Sequence, residues 1–270
     1  MVPLWNLLRN VRQGGNAVRG TGDGKRNVRM SMDLNGQRVV ITGITGGIGR
    51  ASAERLLQAG ADVIVSARSQ DKLDAALAEL SGKASGYVLD LLDMDSIAGF
   101  FEKVGKFDHL VTPAATSMFA PIADMDFDAA RAIIESKQWG QMMTVHHAIK
   151  QMSKTGSITL FSGTVTQKPL PGSSMFAAVG AATEASARVW GLELAPLRVN
   201  TIVPGIIETP VWSGLMGAEA GAEALNGFAS VLPVGRVGTA DDIAKAVVFL
   251  IDNGFVDGES LVVDGGHRLI

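Results

Sequence analysis

The chain has 270 residues, of which 47% are hydrophobic and 19% are charged, and its formal net charge is −3. This length is enough for one substantial hydrophobic core, and a charge so close to zero gives no long-range attraction for nucleic acid or anionic lipid. We therefore expect neither a nucleic-acid partner nor a membrane-bound protein, and no apolar run approaches the ~20 residues of a bilayer span. The absence of cysteine excludes disulfides, thiolate nucleophiles and cysteine-ligated metals, and it is compatible with the cytoplasmic location that we expect.

Residues 1–32 differ in composition from the rest of the chain. They contain five arginines, Lys25 and a single acid, Asp23, interspersed with five glycines. Glycine-rich, charged segments cannot compensate their ordering entropy, which favours a disordered extension or an over-long start with Met30 or Met32 as the initiator. The alternative is a targeting or anchoring arm, whose short apolar face would consist of Leu4, Trp5, Leu7, Leu8 and Val11.

From Asn35 onward, predicted strands and helices alternate. The predicted strands are Arg38–Thr42, Asp62–Ala67, Gly86–Leu89, His109–Thr112, Ser157–Phe161, Arg198–Val203 and Leu261–Val263. The predicted helices are about Ile48–Ala59, Asp71–Leu80, Phe127–Met152, Ala177–Leu194 and Asp241–Ile251. This alternation predicts a single-domain, Rossmann-type doubly wound parallel sheet, a three-layer α/β/α fold, over residues 33–270.

The most informative motif is the segment 42–49, which reads TGITGGIG. It follows a predicted strand and opens a predicted helix, which is the context that a dinucleotide-binding loop requires. Glycine permits the tight turn, allows close approach to a pyrophosphate and exposes the amides at the helix start to its charge. No Gly-Lys-Ser/Thr follows, so the segment is not a P-loop.

Further segments follow in an order that resembles the short-chain dehydrogenase/reductase family, from about residue 33 to residue 267. They are Asp90-Leu91 after the third strand, Pro113-Ala114-Ala115 after the fourth, Val199-Asn200 with Pro204-Gly205 and Thr209, and Val263-Asp264-Gly265-Gly266 near the end. The resemblance implies an oxidoreductase with a bound nicotinamide dinucleotide, and it implies a homodimer or homotetramer. The residues it assigns to the cofactor are Gly43, Thr45, Gly47, Ile48, Gly49, Arg68, Asp90, Leu91, Ala114, Pro204, Gly205, Ile207 and Thr209.

The end of the second strand favours NADP(H) over NAD(H). An acid at this position binds the ribose hydroxyls in NAD sites and would repel a 2′-phosphate. Here the position is Ala67, and Arg68 follows it. A guanidinium is a good charge-assisted partner for a phosphate, although Arg68 could instead be a solvated surface charge.

The catalytic positions depart from the family pattern of Asn, Ser, Tyr and Lys. Gly163 stands at the Ser position, Phe176 at the Tyr position thirteen residues later, and Gly180 at the Lys position four residues after that. Lys137 stands at the Asn position. The only tyrosine, Tyr87, belongs to the adenine side of the predicted site, so the usual phenol proton donor is missing.

Lys137 is the replacement that we consider first, since a desolvated lysine titrates nearer neutrality and can act as an acid. The alternative for Lys137 is a side chain that reaches solvent or pairs with an acid. Thr164, Thr166 and Lys168 lie in the loop after the fifth strand and could also reach inward. Ser162 is expected to turn to the other face of its strand, and Glu184 is interpreted as a helix charge.

The segment Ile206–Leu232 is where the family builds its substrate lid. Its apolar residues, Trp212, Leu215, Met216, Leu225 and Phe228, indicate an apolar small-molecule substrate if they face inward. Two hypotheses follow: an atypical NADP(H)-dependent oxidoreductase acting on a carbonyl or alcohol, or a non-catalytic NADP(H)-binding sensor or assembly protein. No motif for a metal site is present in the sequence.

Overall fold

The central feature of the fold is a seven-stranded parallel sheet with helices on both faces. The computed structural model describes residues 33–114 and 118–270, so the arm predicted for residues 1–32 and Ala115 of the Pro-Ala-Ala segment lie outside the described residues. The strands of the sheet are β1 (Arg38–Ile41), β2 (Asp62–Ala67), β3 (Ala84–Val88), β4 (Phe107–Val111), β5 (Met152–Phe161), β6 (Arg198–Pro204) and β9 (Ser260–Val263). Their spatial order is β3-β2-β1-β4-β5-β6-β9, and every neighbouring pair is parallel.

Within residues 33–114 and 118–270, nine α-helices connect and cover these strands. They are α1 (Gly47–Gln58), α2 (Gln70–Ala78), α3 (Met94–Val104), α4 (Phe127–Ile133), α5 (Gly140–Ala148), α6 (Ser174–Glu193), α7 (Pro210–Met216), α8 (Ala218–Val231) and α9 (Ala240–Asp252). A π-helix (Ile134–Trp139) joins α4 to α5, and a small parallel ribbon pairs β7 (Ile207–Glu208) with β8 (Gly238–Thr239). None of the helices in the described ranges has the length and apolarity of a membrane span.

The sheet is buried on both faces, as its nearly continuous apolar strands predict. In β1, Val39 and Ile41 enter one core cluster beneath α1 and α9, whereas Val40 enters the other, beneath α3 and α5. All three side chains have no solvent exposure. The predicted three-layer α/β/α architecture is confirmed.

The strand order reverses between β1 and β4, because the chain crosses from β3 back over the sheet to β4. In open parallel sheets, ligands bind at the carboxyl ends of the strands at such a switch point. The glycine segment 42–49 follows β1 and therefore lies at this crevice.

Two element predictions were wrong. Helix α3 was missing from the prediction, although Asp93 caps its start and four residues with helical spacing, Ile97, Phe100, Phe101 and Val104, are buried. The single predicted helix over Phe127–Met152 is three successive helices, and Met152 begins β5 instead of ending a helix. A short apolar run is compatible with a helix and with a buried strand, so the sequence pattern did not decide where the helix ends and β5 begins.

Candidate active site

The loop after β1 has the geometry of a pyrophosphate cradle. Gly43 adopts φ +83°, and a Cβ atom on it would lie 2.7 Å from Cβ of Ala114. A Cβ atom on Gly49 would lie 2.1 Å from the carbonyl oxygen of Gly43. Both positions therefore require glycine, one for its left-handed backbone and the other for the close approach of helix and loop.

Helix α1 begins in this loop and presents its first amides to the crevice. Its N-cap is Gly46, and no side chain in the described ranges caps it. Ser66 on β2 anchors the loop, since the amide of Gly43 donates to Ser66 Oγ (3.2 Å) and the amide of Ile44 donates to the Ser66 carbonyl (2.8 Å). Open amides at a helix start favour an anion, so the cradle fits a dinucleotide pyrophosphate.

The ends of the two neighbouring strands carry the residues that the sequence predicts for the adenosine half of such a ligand. Ala67 is buried at the end of β2, and Arg68, the next residue, is exposed. Among the residues that the structure describes, Arg68 makes no salt bridge. After β3, Asp90 uses Oδ1 to accept from the amide of Leu92 at 3.0 Å, which fixes the turn at this edge.

The far side of the crevice is formed by the chain that leaves β6. Gly205 packs against the backbone of Asp264, where a Cβ atom would lie 2.7 Å from the Asp264 Cα. Thr209 comes close to the start of α1, with its Cγ2 3.4 Å from the Cβ position of Gly47. The Pro204–Thr209 segment and the glycine loop thus face each other across the carboxyl edge of the sheet.

Lys137 projects from the π-helix into the protein interior. Its side chain is only 3% exposed, and within the described residues its Nζ has no salt-bridge or hydrogen-bond partner. The Nζ lies 5.7 Å from the centroid of the Phe176 ring, within cation–π range. Burial lowers the pKa of Lys137 from 10.5 to about 8. The alternative of a solvent-exposed lysine is wrong for this chain.

Phe176 forms an apolar wall beside Lys137. Its ring stacks on that of Phe119 with 5.5 Å between centroids and 23° between planes. Gly163 lies at the end of β5, where a Cβ atom would meet no heavy atom closer than 4.0 Å. The space beside Gly163 is therefore open, whereas the wall formed by Phe176 offers a ring without a hydroxyl.

The surroundings of Gly180 are filled by other side chains. A Cβ atom on Gly180 would lie 2.7 Å from Ser162 Oγ and 2.9 Å from Thr166 Cγ2. Both hydroxyls donate to Oε1 of Glu184, at 2.6 Å from Ser162 and 2.8 Å from Thr166. Glu184, interpreted from the sequence as a helix charge, lies on α6 but is only 8% exposed. It fastens the end of β5 and the loop that follows to α6.

Two other side chains of the loop after β5 contact the C-terminal segment of the chain. Thr164 Oγ1 lies 3.2 Å from Nδ1 of His267, and Lys168 Nζ donates to the carbonyl oxygens of His267 (3.0 Å) and Ile270. We call residues 163–168 the active-site loop. Of the three candidates in this loop, Thr164 is buried, whereas Thr166 and Lys168 are partly buried and hydrogen-bonded.

Helices α7 and α8, residues 210–231, lie beyond the Pro204–Thr209 segment, and we call them the lid. Trp212 packs against Phe228 with 5.7 Å between ring centroids, and its Nε1 donates to the Ile207 carbonyl at 2.9 Å. Met216 is 52% exposed, so its expected inward position was wrong. The other apolar lid residues, Trp212, Leu215, Leu225 and Phe228, are partly buried.

A cavity of about 460 Å³ lies away from this crevice, at the amino-terminal edge of the strands. His109 lines it, with Nδ1 2.8 Å from Ser157 Oγ and Nε2 2.7 Å from Gln37 Oε1. Burial lowers the pKa of His109 to about 4, so its ring is neutral at pH 7. Ligands of doubly wound sheets bind at the opposite, carboxyl edge, which separates this cavity from the candidate active site.

Comparison with known proteins agrees with the geometry of the crevice. Residues 43–268 match the family model described as Enoyl-(Acyl carrier protein) reductase. The 3-oxoacyl-[acyl-carrier-protein] reductase FabG of Thermotoga maritima is 34% identical, with 87% of this chain and 99% of that protein covered. The short-chain dehydrogenase/reductase ucsE of an Acremonium species is 31% identical, with 89% and 98% covered.

The chain belongs to the short-chain dehydrogenase/reductase family. A solved small-chain dehydrogenase in complex with NADPH shares 32% of its residues, covers 87% of this chain and 99% of its own, and superimposes with a TM-score of 0.76. A short chain dehydrogenase/reductase family protein, also 32% identical, covers 88% and 100% with a TM-score of 0.80. These relatives are reductases or dehydrogenases, which supports the assignment of the chain to the oxidoreductases.

Three features of this member of the family could not be found from the sequence alone. The π-helix under Lys137 leaves no periodic signal in six residues. His267 approaches Thr164 across 103 residues of sequence, which only the folded chain reveals. Ser162 and Glu184 were considered singly, and the 22-residue spacing between them gave no reason to pair them.

Proposed function

We propose that this chain is an NADP(H)-dependent oxidoreductase that acts on an apolar carbonyl or alcohol, with Lys137 as the proton donor or acceptor. The observation that carries the proposal is the buried ammonium of Lys137 beside the Phe176 ring, on the wall where the family pattern has its phenol. When bound, NADP(H) supplies or accepts the hydride.

The cofactor assignment rests on three features of the described residues. Gly43 and Gly49 shape a loop in which any side chain would collide with backbone or Ala114, and the start of α1 offers amides to phosphate. Arg68 is an exposed cation directly after β2, where Ala67 replaces the acid of NAD sites. A structural relative contains NADPH, which agrees with this preference. The residues proposed to contact the cofactor are Gly43, Thr45, Gly47, Ile48, Gly49, Arg68, Asp90, Leu91, Ala114, Pro204, Gly205, Ile207 and Thr209.

The proton transfer is assigned to Lys137 because its pKa of about 8 is close to neutral pH, where both protonation states are accessible. The protonated side chain donates to the carbonyl oxygen during reduction, and the neutral amine accepts the alcohol proton during oxidation. As an ammonium it also stabilises the negative charge that develops on the oxygen, in a site shielded by Phe119 and Phe176. The apolar side chains of the lid favour an apolar substrate.

A second candidate function is non-catalytic NADP(H) binding by a sensor or assembly protein. The observation that favours it is the arrangement at Gly180, where Ser162 and Thr166 occupy the space that a lysine stem would need. Together with Gly163 and Phe176, this gives three catalytic positions without a proton-transfer group. The two candidates share the cofactor cradle and differ in turnover.

The test is a pair of measurements on the full chain. NADPH and NADH are titrated while the melting temperature is followed, because a ligand at 100 times its Kd adds about 2.7 kcal/mol of stability. Selective stabilisation by NADPH is the expected result, and no shift with either nucleotide would overturn the cofactor assignment. Apolar ketones and alcohols are then screened for nucleotide oxidation or reduction, with Lys137→Met as the matched variant. Turnover that survives in Lys137→Met would remove Lys137 from the mechanism.

A further inference from the structure

The C-terminal turn, residues 264–270, is folded against both the active-site loop and the end of the lid. Gly265 and Gly266 adopt left-handed backbone angles, φ +59° and +86°. A Cβ atom on Gly266 would lie 2.7 Å from Cγ of Pro233, which follows α8. These two glycines therefore allow the backbone of the turn to lie close to the segment that follows α8, and a side chain at either position would push the two segments apart.

His267 is the side chain of this turn that reaches both neighbours. It is 5% exposed. On one side its Nδ1 lies 3.2 Å from Oγ1 of Thr164, the residue after Gly163. On the other side its ring meets that of Phe228 edge-on, with 6.2 Å between centroids and 85° between planes. Phe228 in turn packs on Trp212, so an aromatic chain runs from His267 into the lid.

The loop side of the turn is held by additional polar contacts. Lys168 Nζ donates to the His267 carbonyl at 3.0 Å, and Arg268 Nη1 donates to Gln167 Oε1 at 2.9 Å. Arg268 also pairs with Asp264 at 3.2 Å. The turn is therefore attached to the active-site loop, and the contact of the His267 ring with Phe228 attaches it to α8 of the lid.

The lid itself has little buried structure of its own. No residue of α7 is buried, and Gly221 is the only buried residue of α8. Elements with few buried contacts open at low free-energy cost, so a small number of outside contacts decides their position.

We propose that His267 is a positioning residue that couples the lid to the active-site loop through its contacts with Thr164 and Phe228. The coupling holds the apolar inner side of the lid at a fixed distance from Gly163 and the wall formed by Phe176. The part of the inference that concerns substrate rests on the proposed function, because it takes the space between lid and loop as the substrate pocket. The coupling itself does not depend on turnover.

Hydrogen exchange of backbone amides tests the coupling without any substrate. Thr164→Val removes the hydroxyl at nearly constant volume and leaves the lid sequence untouched. Because one such contact accounts for about 1 kcal/mol, amides of α8 should exchange roughly fivefold faster in this variant. Phe228→Leu should in turn speed exchange of the amides of Thr166–Lys168, since coupling between two elements is reciprocal.

Two controls separate coupling from general destabilisation. Thr164→Ser keeps the hydroxyl and should restore the slow exchange of α8. Leu269→Ala lies in the same turn but is 82% exposed, and it should leave both regions unchanged. If Thr164→Val accelerates only the amides of its own loop, or if α8 exchanges equally in all variants, His267 does not couple the two elements.

A kinetic measurement adds the functional consequence. With a substrate identified, Thr164→Val should raise KM for that substrate severalfold while the Kd of NADPH stays constant, because the lid and not the cradle is affected. An unchanged KM together with faster exchange in α8 would limit the inference to lid dynamics and overturn its substrate part. Absence of turnover in the wild-type chain would instead count against the proposed function, and the exchange result would stand.

Discussion

Ser162 Oγ lies 2.7 Å from the place where a Cβ atom on Gly180 would be. The hydroxyl is fixed there by its 2.6 Å hydrogen bond to Glu184, one helical turn after Gly180. Position 180 is therefore closed to any side chain while Ser162 keeps its rotamer. The glycine at this position is thus accompanied by a buried polar cluster of Ser162, Thr166 and Glu184 that fills the space.

The first prediction concerns larger or polar side chains at positions 176 and 180. Phe176→Tyr should be tolerated, because Phe176 is only partly buried, whereas Gly180→Lys should destabilise the fold by about 1–3 kcal/mol through overpacking against Ser162 and Thr166. Urea denaturation measures both effects. Gly227→Ala is the matched control, since a Cβ atom on this glycine of α8 meets no atom within 4 Å. A Gly180→Lys variant as stable as wild type would show that Ser162 moves aside freely.

The second prediction concerns Glu184. Glu184→Leu should cost about 1–3 kcal/mol of stability, because it leaves the buried hydroxyl of Ser162 without an acceptor. Glu184→Gln keeps a carbonyl oxygen that accepts from Ser162 and Thr166, so its loss should be clearly smaller. Thermal and urea unfolding compare the two variants, with exposed Glu193→Leu at the end of the same helix as control. Equal losses for Leu and Gln would mean that the charge, and not the hydrogen bonds, is what the cluster requires.

The third prediction is a pH dependence that follows from Lys137. Its pKa is lowered from 10.5 to about 8 by burial, so the ammonium is lost as the pH rises through about 8. The rate of carbonyl reduction should fall over this range and the rate of alcohol oxidation should rise. Initial rates between pH 6 and pH 10 with saturating nucleotide measure this. A reduction rate that is flat across pH 8 would contradict the assignment of Lys137 as proton donor.

The same shift predicts how stability depends on pH. Between about pH 8 and pH 10.5 the unfolded chain binds the Lys137 proton and the folded chain does not, so the free energy of unfolding should gain a contribution that rises with pH. Below pH 8 both states are protonated and this contribution is constant. Lys137→Met removes the buried charge, so it should stabilise the protein at pH 7 and abolish the rise. Unfolding of the two proteins in urea at pH 7 and pH 10 gives the comparison.

The fifth prediction concerns nucleotide preference. Arg68→Ala should raise the Kd of NADPH about tenfold or more, since hydrogen bonds to charged groups contribute about 1.5–3 kcal/mol, and leave the Kd of NADH almost unchanged. Isothermal titration with both nucleotides measures the ratio. Arg188→Ala removes an exposed arginine from α6, away from the crevice, and serves as the control. An equal loss for NADPH and NADH would assign Arg68 to a part of the ligand that both nucleotides share.

The fold and the cofactor crevice could be predicted because their determinants are local. The β1 strand, the glycine turn and the start of α1 are consecutive in the sequence, and the left-handed backbone of Gly43 has a direct residue signature. The pairing of β1 with β4 also follows from the alternation of elements, since the crossover must return to the other side of β1.

The surroundings of the catalytic positions could not be predicted, because they depend on contacts between distant residues. Glu184 looks like a surface charge in the sequence, and only the packing of α6 on the end of β5 buries it beside Ser162. Lys137 could be solvated or buried from its sequence context alone. Its burial depends on how a π-helix turns it relative to α4 and α5, and no short-range pattern encodes that choice.

The number of residues per turn in the π-helix between α4 and α5 determines which of its side chains faces the pocket. A π turn takes up one more residue than an α turn, and each α-helical residue advances by about 100°. Removing one residue from Ile134–Trp139 would therefore let an α turn replace the π turn while the buried faces of α4 and α5 stay in place, and the residues of this segment, Lys137 among them, would change direction. The chemistry of this wall is thus determined by the number of residues in the helix as well as by their identity, and a one-residue deletion would be as consequential as a substitution of Lys137 itself.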